Sequence, residues 1–256
     1  MDFPLDLSGF SRLKLPLEPE IDEAGLAQLE SDIALLRDAI IALTAIARAR
    51  GLGGHTGGPY DIAPEVVIVD ALRDGGAAIH PEFFDEAGHR AALQYARGAL
   101  RGDLQPEQLL HYREYDSGLA GHPEKELLDC IDFSSGRLGH AAGHVNGVAL
   151  AHPGQGVVMF GSDGSQMEGN NAEAARLAVA NNLNVKWIID DNNVTIAGYP
   201  DRYLPGFDLG RTLGGQGFAV FPADGEDTRA LLAAIVAALL HDGPAAVLCR
   251  RAMGPG

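Results

Sequence analysis

Two short apolar runs, separated by a helix-forming stretch and each ending in small polar residues, constrain the fold more than any other feature of the chain. Gly156-Val157-Val158-Met159-Phe160 leads into Gly161-Ser162-Asp163-Gly164, and Val185-Lys186-Trp187-Ile188-Ile189 leads into Asp190-Asp191-Asn192-Asn193. Runs of this length suit strands buried on both faces of a sheet. Between them, Asn170 to Leu183 is rich in alanine and leucine and has no proline, so its local preference is helical. Strand, crossover helix and strand make a right-handed unit whose two strands are parallel and therefore end on the same side of the sheet. Asp163 and Asn192, 29 residues apart in sequence, both belong at those ends.

Ligands of open parallel sheets bind beyond the carboxyl ends of the strands, where a following helix offers free N–H groups to phosphate. Gly164 lets the backbone approach such a group closely. The Asp163 carboxylate, the Asn192 amide oxygen and a backbone carbonyl such as that of Val194 make three hard oxygen ligands, which suit Mg²⁺ (or Ca²⁺) completing its shell from phosphate and water. Asp-Gly alone marks no more than a turn. The pairing of two strand ends is what raises it to a candidate site.

The wider pattern resembles the thiamine diphosphate fingerprint, with Ser162-Asp163-Gly164 standing where Gly-Asp-Gly is usual. Gly54-His55-Thr56-Gly57-Gly58, Ala87-Gly88-His89, Gly121-His122-Pro123-Glu124, Gly136-Arg137-Leu138-Gly139 and Asp163-Gly164 with Met167-Glu168-Gly169 occur in the order seen in the N-terminal domain of transketolases. The likeness runs from about Gly51 to about Arg250. It implies an α/β thiamine diphosphate-binding fold: a mainly parallel sheet with helices on both faces, here with an N-terminal helical extension. It divides the chain into an arm and long helix over 1–50 and a diphosphate-anchoring domain over 51–256.

Composition narrows the partners. Against 19 Lys plus Arg stand 35 Asp plus Glu, a formal charge of −16, and such a surface repels nucleic-acid backbones. Cys130 and Cys249 form no scaffold pattern, the first residues lack a secretory signal, and the longest apolar run, Leu231 to Leu240, is too short for a bilayer. A cytoplasmic protein with neither nucleic-acid nor membrane partner is expected.

Along the chain, Leu26, Leu29, Ile33, Leu36, Ile40, Leu43 and Ala47 recur three and four apart, predicting a long helix from Ile21. Gly51 to Gly58 reads as a close-approach loop. Val66 to Val69 fits a strand by pattern, whereas the resemblance implies a helix over Asp61 to Asp74. Helices are expected at Glu86 to Leu100, Pro106 to Tyr115, Gly139 to Ala151 and Thr228 to Leu240. Strands are expected at Phe218 to Phe221, entered from Gly214-Gly215-Gln216-Gly217, and at Ala245 to Arg250. Alternating strands and helices in this half imply a parallel sheet covered on both sides.

The resemblance also assigns roles. The counterpart of His89 contacts the cofactor diphosphate; those of His55 and His122 contact the sugar donor; Gly136 and Leu138 touch the cofactor rings; Glu168 lies near the cofactor at an interface between subunits. His55, His122 and Glu168 are thus the candidate catalytic residues. His89, Gly136, Leu138, Asp163, Gly164, Glu168 and Asn192 are the candidate cofactor residues, and Asp163, Asn192 and Val194 the metal set. Arg137 and His140 depart from the usual proline and glutamine, and Arg90 from the pattern after His89. His140 and His144, four apart, lack a third ligand and are discounted as a metal pair.

By the same resemblance, the activating glutamate and the pyrimidine-binding and C-terminal domains would come from a complementary subunit, giving an α2β2 transketolase acting on sugar (phosphate) substrates. An α-type half of a 2-oxo acid decarboxylating enzyme, and a non-catalytic module retaining the fold, are the competing expectations.

Overall fold

The computed structural model describes residues 2–254. Five strands, β1 (Phe84–Asp85), β2 (Val157–Ser162), β3 (Val185–Asp191), β4 (Ala219–Asp224) and β5 (Ala245–Arg250), form one sheet in the order β1-β2-β3-β5-β4, with every pairing parallel. The helices are α1 (Glu23–Ala49), α2 (Gly57–Asp61), α3 (Ala63–Asp74), α4 (Ala91–Arg101), α5 (Ala141–Ala151), α6 (Gly169–Ala180), α7 (Pro200–Tyr203), α8 (Leu209–Gln216) and α9 (Thr228–Leu240).

The sheet is buried on both faces because its strands carry apolar side chains at successive positions, which a strand sends to opposite sides. Val158, Phe160, Ile188, Val247 and Cys249 pack against α1, α3, α4 and α9. Met159, Trp187, Ile189, Ala246 and Leu248 pack against α5, α6 and α8. The exception is Lys186, which lies on the first face and is almost fully buried; its ammonium donates to the carbonyls of His241 and Gly243 at 2.7 Å each, at the end of α9. The long helix α1 begins on Asp22, whose carboxylate accepts from Gly25 N–H, and its stripe Leu29, Ile33, Leu36, Ile40, Leu43 and Ala47 is buried in the first of these cores.

The ambiguity at Val66 to Val69 resolves as helix, entered through Pro64 in its first turn. Three expectations are corrected. The helix expected from Glu86 is preceded by strand β1 and a 3-10 turn at Gly88–Arg90, and α4 proper starts at Ala91. The helix expected over Pro106 to Tyr115 is a 3-10 turn, Pro106–His111, that ends where Arg113 enters the left-handed region. The glycine-rich approach to β4 is itself helical: α8 is capped by Asp208, anchored by buried Leu209 and Leu213, and stopped by Gly217 at φ 105°. Glycine costs a helix about 1 kcal/mol each, which hides such a segment from local preference.

Candidate cofactor and metal site

Because β2 and β3 pair with Ser162 opposite Asp190, the chain leaves both strands at the same level. Asp163 N–H donates to the Asp190 carbonyl at 3.0 Å, continuing the ladder by one residue. The two loops then touch. A methyl group on Gly164 would stand 3.2 Å from Thr195 Cγ2 and 3.9 Å from Leu138 Cδ1, so Gly164 lies between the loop after Asn192 and the Gly136–Gly139 segment.

Asp163 is 4% exposed. One carboxylate oxygen accepts from Gly164 N–H at 2.6 Å, and the other is buried without a partner. Burial pushes its pKa up to about 6; Gly164, Asn193 and Val194 N–H groups lower it, and the nearby Asp191 carboxylate raises it. A buried carboxylate with an open oxygen, raised by a second acid, fits a cation ligand. Asn192 is held from behind. Its amide nitrogen donates to Asp61 Oδ2 and Asp190 Oδ2, both at 2.9 Å, while its oxygen accepts from Val194 N–H at 2.9 Å. Among the described residues no three His, Cys, Asp or Glu side chains cluster as metal ligands; the candidate set here is one carboxylate, one amide and the Val194 carbonyl, and its donors are of the hard-oxygen kind that Mg²⁺ takes.

Asp61 and Asp190 belong to a buried network absent from the sequence expectations. Gly254 N–H donates to Asp61 Oδ1 at 2.8 Å, and the fully buried Arg251 guanidinium binds the Asp61 carbonyl and Glu65, with Asp190 at 3.7 Å. Burial raises the carboxyl groups of Asp61, Glu65 and Asp190, and Arg251 is the cation that opposes it.

The histidines form a second group. The rings of His55 and His89 meet edge to face with centroids 5.2 Å apart. His122 is close by: a methyl on Gly88 would come 2.6 Å from its Cδ2, and one on Gly136 3.3 Å. The same methyl on Gly88 would stand 2.5 Å from Ser135 O and 2.6 Å from Gly136 Cα, so only a glycine fits before His89. Burial, together with the neighbouring Arg90, His55 and His122, lowers His89 to about 3, and burial lowers His55 along with Arg113 and His122. His55 and His89 are therefore neutral at neutral pH, and a neutral imidazole both donates and accepts.

The segment from Gly136 to Gly139 links the two groups, with Gly136 against His122 and Leu138 toward Gly164. Glu168 lies beyond it, exposed at the start of α6 and packed on Gly139. Arg137 is exposed to solvent. The departure at Arg90 has a structural cause: its guanidinium is buried, pairs with Asp85 at 2.6 Å, and donates to the Phe160 and Gly161 carbonyls at 3.1 Å, thereby tying β1 to the end of β2.

Residues 36–256 match the family model for the transketolase thiamine diphosphate binding domain. The chain belongs to this family. It is 29% identical over 243 residues to one of the subunits of the apulose-4-phosphate transketolase of Actinobacillus succinogenes, covering 90% of this chain and 86% of that protein. It is 32% identical over 240 residues to the plasmid transketolase of Cupriavidus necator, covering 84% of this chain but 35% of that protein. A crystal structure of a Pichia stipitis transketolase in complex with sedoheptulose 7-phosphate superposes with a TM-score of 0.77 at 26% identity, over 88% of this chain and 36% of that one. The chain therefore spans about a third of the long transketolases it matches and most of the Actinobacillus protein. Among the described residues no helix is long and apolar enough to cross a membrane.

Proposed function

We propose that this domain anchors thiamine diphosphate through Mg²⁺ and works with a complementary chain as a transketolase that moves a two-carbon ketol unit from a ketose (phosphate) to an aldose. The observation that carries this reading is the meeting of Asp163, with its open buried oxygen, and Asn192, with its fixed amide, at the ends of two adjacent parallel strands. Asp163, Asn192 and the Val194 carbonyl hold the metal, Gly164 admits the diphosphate, and His89 lies beside it. Leu138 and Gly136 line the approach to the rings. Thiamine diphosphate, when bound, supplies the carbanion and the electron sink for breaking the C–C bond.

His55 and His122 sit where they can hold and pass protons at the oxygens of a sugar donor, since imidazoles in hydrogen-bond reach serve as acid or base. Glu168, exposed beyond Gly139, faces outward and is assigned to the contact with the complementary chain. Similarity to the Actinobacillus transketolase chain over most of its length supports a two-chain enzyme, assembled as a cytoplasmic α2β2 complex, with residues 1–50 as an N-terminal arm and a long helix, α1, whose apolar stripe packs into the core of the cofactor domain. Calorimetry with thiamine diphosphate and Mg²⁺ tests the anchor: wild type binds and Asp163→Ala does not. Mixing the chain with the product of the adjacent reading frame and assaying ketol transfer tests the assembly; full activity of the chain alone would refute it.

A further inference from the structure

A cavity of about 330 Å³ lies between the end of β1 and the start of α5, a size at the small end of ligand pockets. Glu86, the residue after β1, lines it, as do His140 and His144 at the start of α5. Of the residues assigned above to cofactor, metal or sugar, Gly136 alone belongs to its wall; Leu138 turns toward Gly164, and Glu168 packs on Gly139. The floor of the cavity carries polar groups without partners. Glu86 is 0% exposed; one carboxylate oxygen accepts from the Asn171 amide at 3.3 Å, and the other has no hydrogen bond among the described residues. Burial raises its carboxyl above the ordinary value, against the pull of Ser165, Asn171, the Gly139 N–H and Arg90, and Arg90 is already paired with Asp85 at 2.6 Å. Ser135, also buried, leaves its hydroxyl unpartnered in the same wall.

Buried polar groups in folded proteins are nearly always hydrogen-bonded, so two orphaned groups lining one cavity mark a place where a ligand supplies the missing bonds. Depth decides the sign of its charge. Arg137 and Glu124, at the mouth, are exposed and oppose each other in charge, and water screens both. The Glu86 carboxylate lies where the dielectric is low and a unit charge acts several-fold more strongly than in water. Beside it stands Phe133, its ring packed on His144 with centroids 5.4 Å apart, and an aromatic face attracts a cation. We propose that this cavity is a second ligand site of the domain and binds a small organic ammonium ion, whose N–H groups donate to the free Glu86 oxygen and the Ser135 hydroxyl while its carbon chain lies along Phe133. A charge-assisted bond to a buried carboxylate is among the stronger hydrogen bonds a protein makes.

The test titrates propylammonium into the full chain and follows the ring resonances of the histidines. Saturable shifts of the His140 and His144 signals are expected, with those of His55 and His89 unmoved. Glu86→Gln keeps the shape and an acceptor for Asn171, and weakens the amine at least about tenfold, the loss of a charged hydrogen bond. Arg137→Ala, a change at the surface that leaves the fold alone, removes the like charge and tightens binding. Equal affinity in Glu86→Gln and wild type would overturn the proposal, as would weaker binding to Arg137→Ala, or acetate binding more tightly than propylammonium. Saturating thiamine diphosphate with Mg²⁺ leaves the amine affinity unchanged; competition would give the cavity to the cofactor and overturn the proposal. Loss of the amine site on mixing with the product of the adjacent reading frame would give it to a side chain of that protein, which overturns the small-molecule assignment.

Discussion

Replacing Asp61 by asparagine isolates the contribution of the network behind Asn192, one of the proposed metal ligands. The Asp61 carboxylate uses both oxygens, one for the Asn192 amide at 2.9 Å and one for Gly254 N–H at 2.8 Å. An asparagine of the same shape keeps one acceptor and turns the other into a donor, so one of the two N–H groups faces an NH₂. A buried donor left unsatisfied costs about 1–3 kcal/mol. Asp190 still holds the second amide hydrogen of Asn192, so the amide oxygen loosens rather than turns away. Loss of such an outer partner weakens metal binding about 10–100-fold, and with one tether left the lower end, about tenfold, is expected. Titrating Mg²⁺ into the chain at saturating thiamine diphosphate measures it directly. Asp190→Asn should cost a similar factor, and the double variant more than the product, because either carboxylate alone can hold the amide. Unchanged Mg²⁺ affinity in both single variants, with thiamine diphosphate still bound, would refute the idea that these carboxylates orient Asn192.

Gly139 sits at φ 82°, and a methyl on it would collide with Glu168 Cβ; Gly139→Ala should lower thermal stability and move the start of α6, visible as faster amide exchange near Gly169. Arg90→Met strips the counter-charge from fully buried Asp85, and breaking such a pair costs about 3–5 kcal/mol, read as a fall in the denaturant midpoint. His89 has a folded-state pKa of about 3 against 6.5, so between these values the unfolded chain holds more protons and stability, whole above the upper value, falls as pH drops. His89→Gln should flatten the loss of melting temperature between about pH 7 and about pH 4; an unaltered pH slope would contradict the buried neutral ring.

The parts of this molecule that could be read from its sequence are those set by neighbours in the chain. The apolar runs Val157 to Phe160 and Val185 to Ile189, the second interrupted only by Lys186, announced strands covered on both sides, and the two faces took their apolar residues in turn. Parallel pairing then followed from the helix between them, and with it the placement of Asp163 and Asn192 just beyond the ends of neighbouring strands. What sequence reading missed lies in contacts made at long range. Asp61 reaches Asn192 across 131 residues and Arg251 across 190, so nothing local marks either as a partner of the loop after β3. Strand β1 is two residues long, too short for any period, and exists because Phe84 and Asp85 pair with Met159 and Phe160. Arg90 looked like an intrusion after His89 because the residue types alone could not show that its side chain turns back into the sheet. A charge pattern in sequence counts acids and bases, but the available charge at a site is what remains after the fold has paired them, and beside Gly164 that includes an open carboxylate oxygen at Asp163.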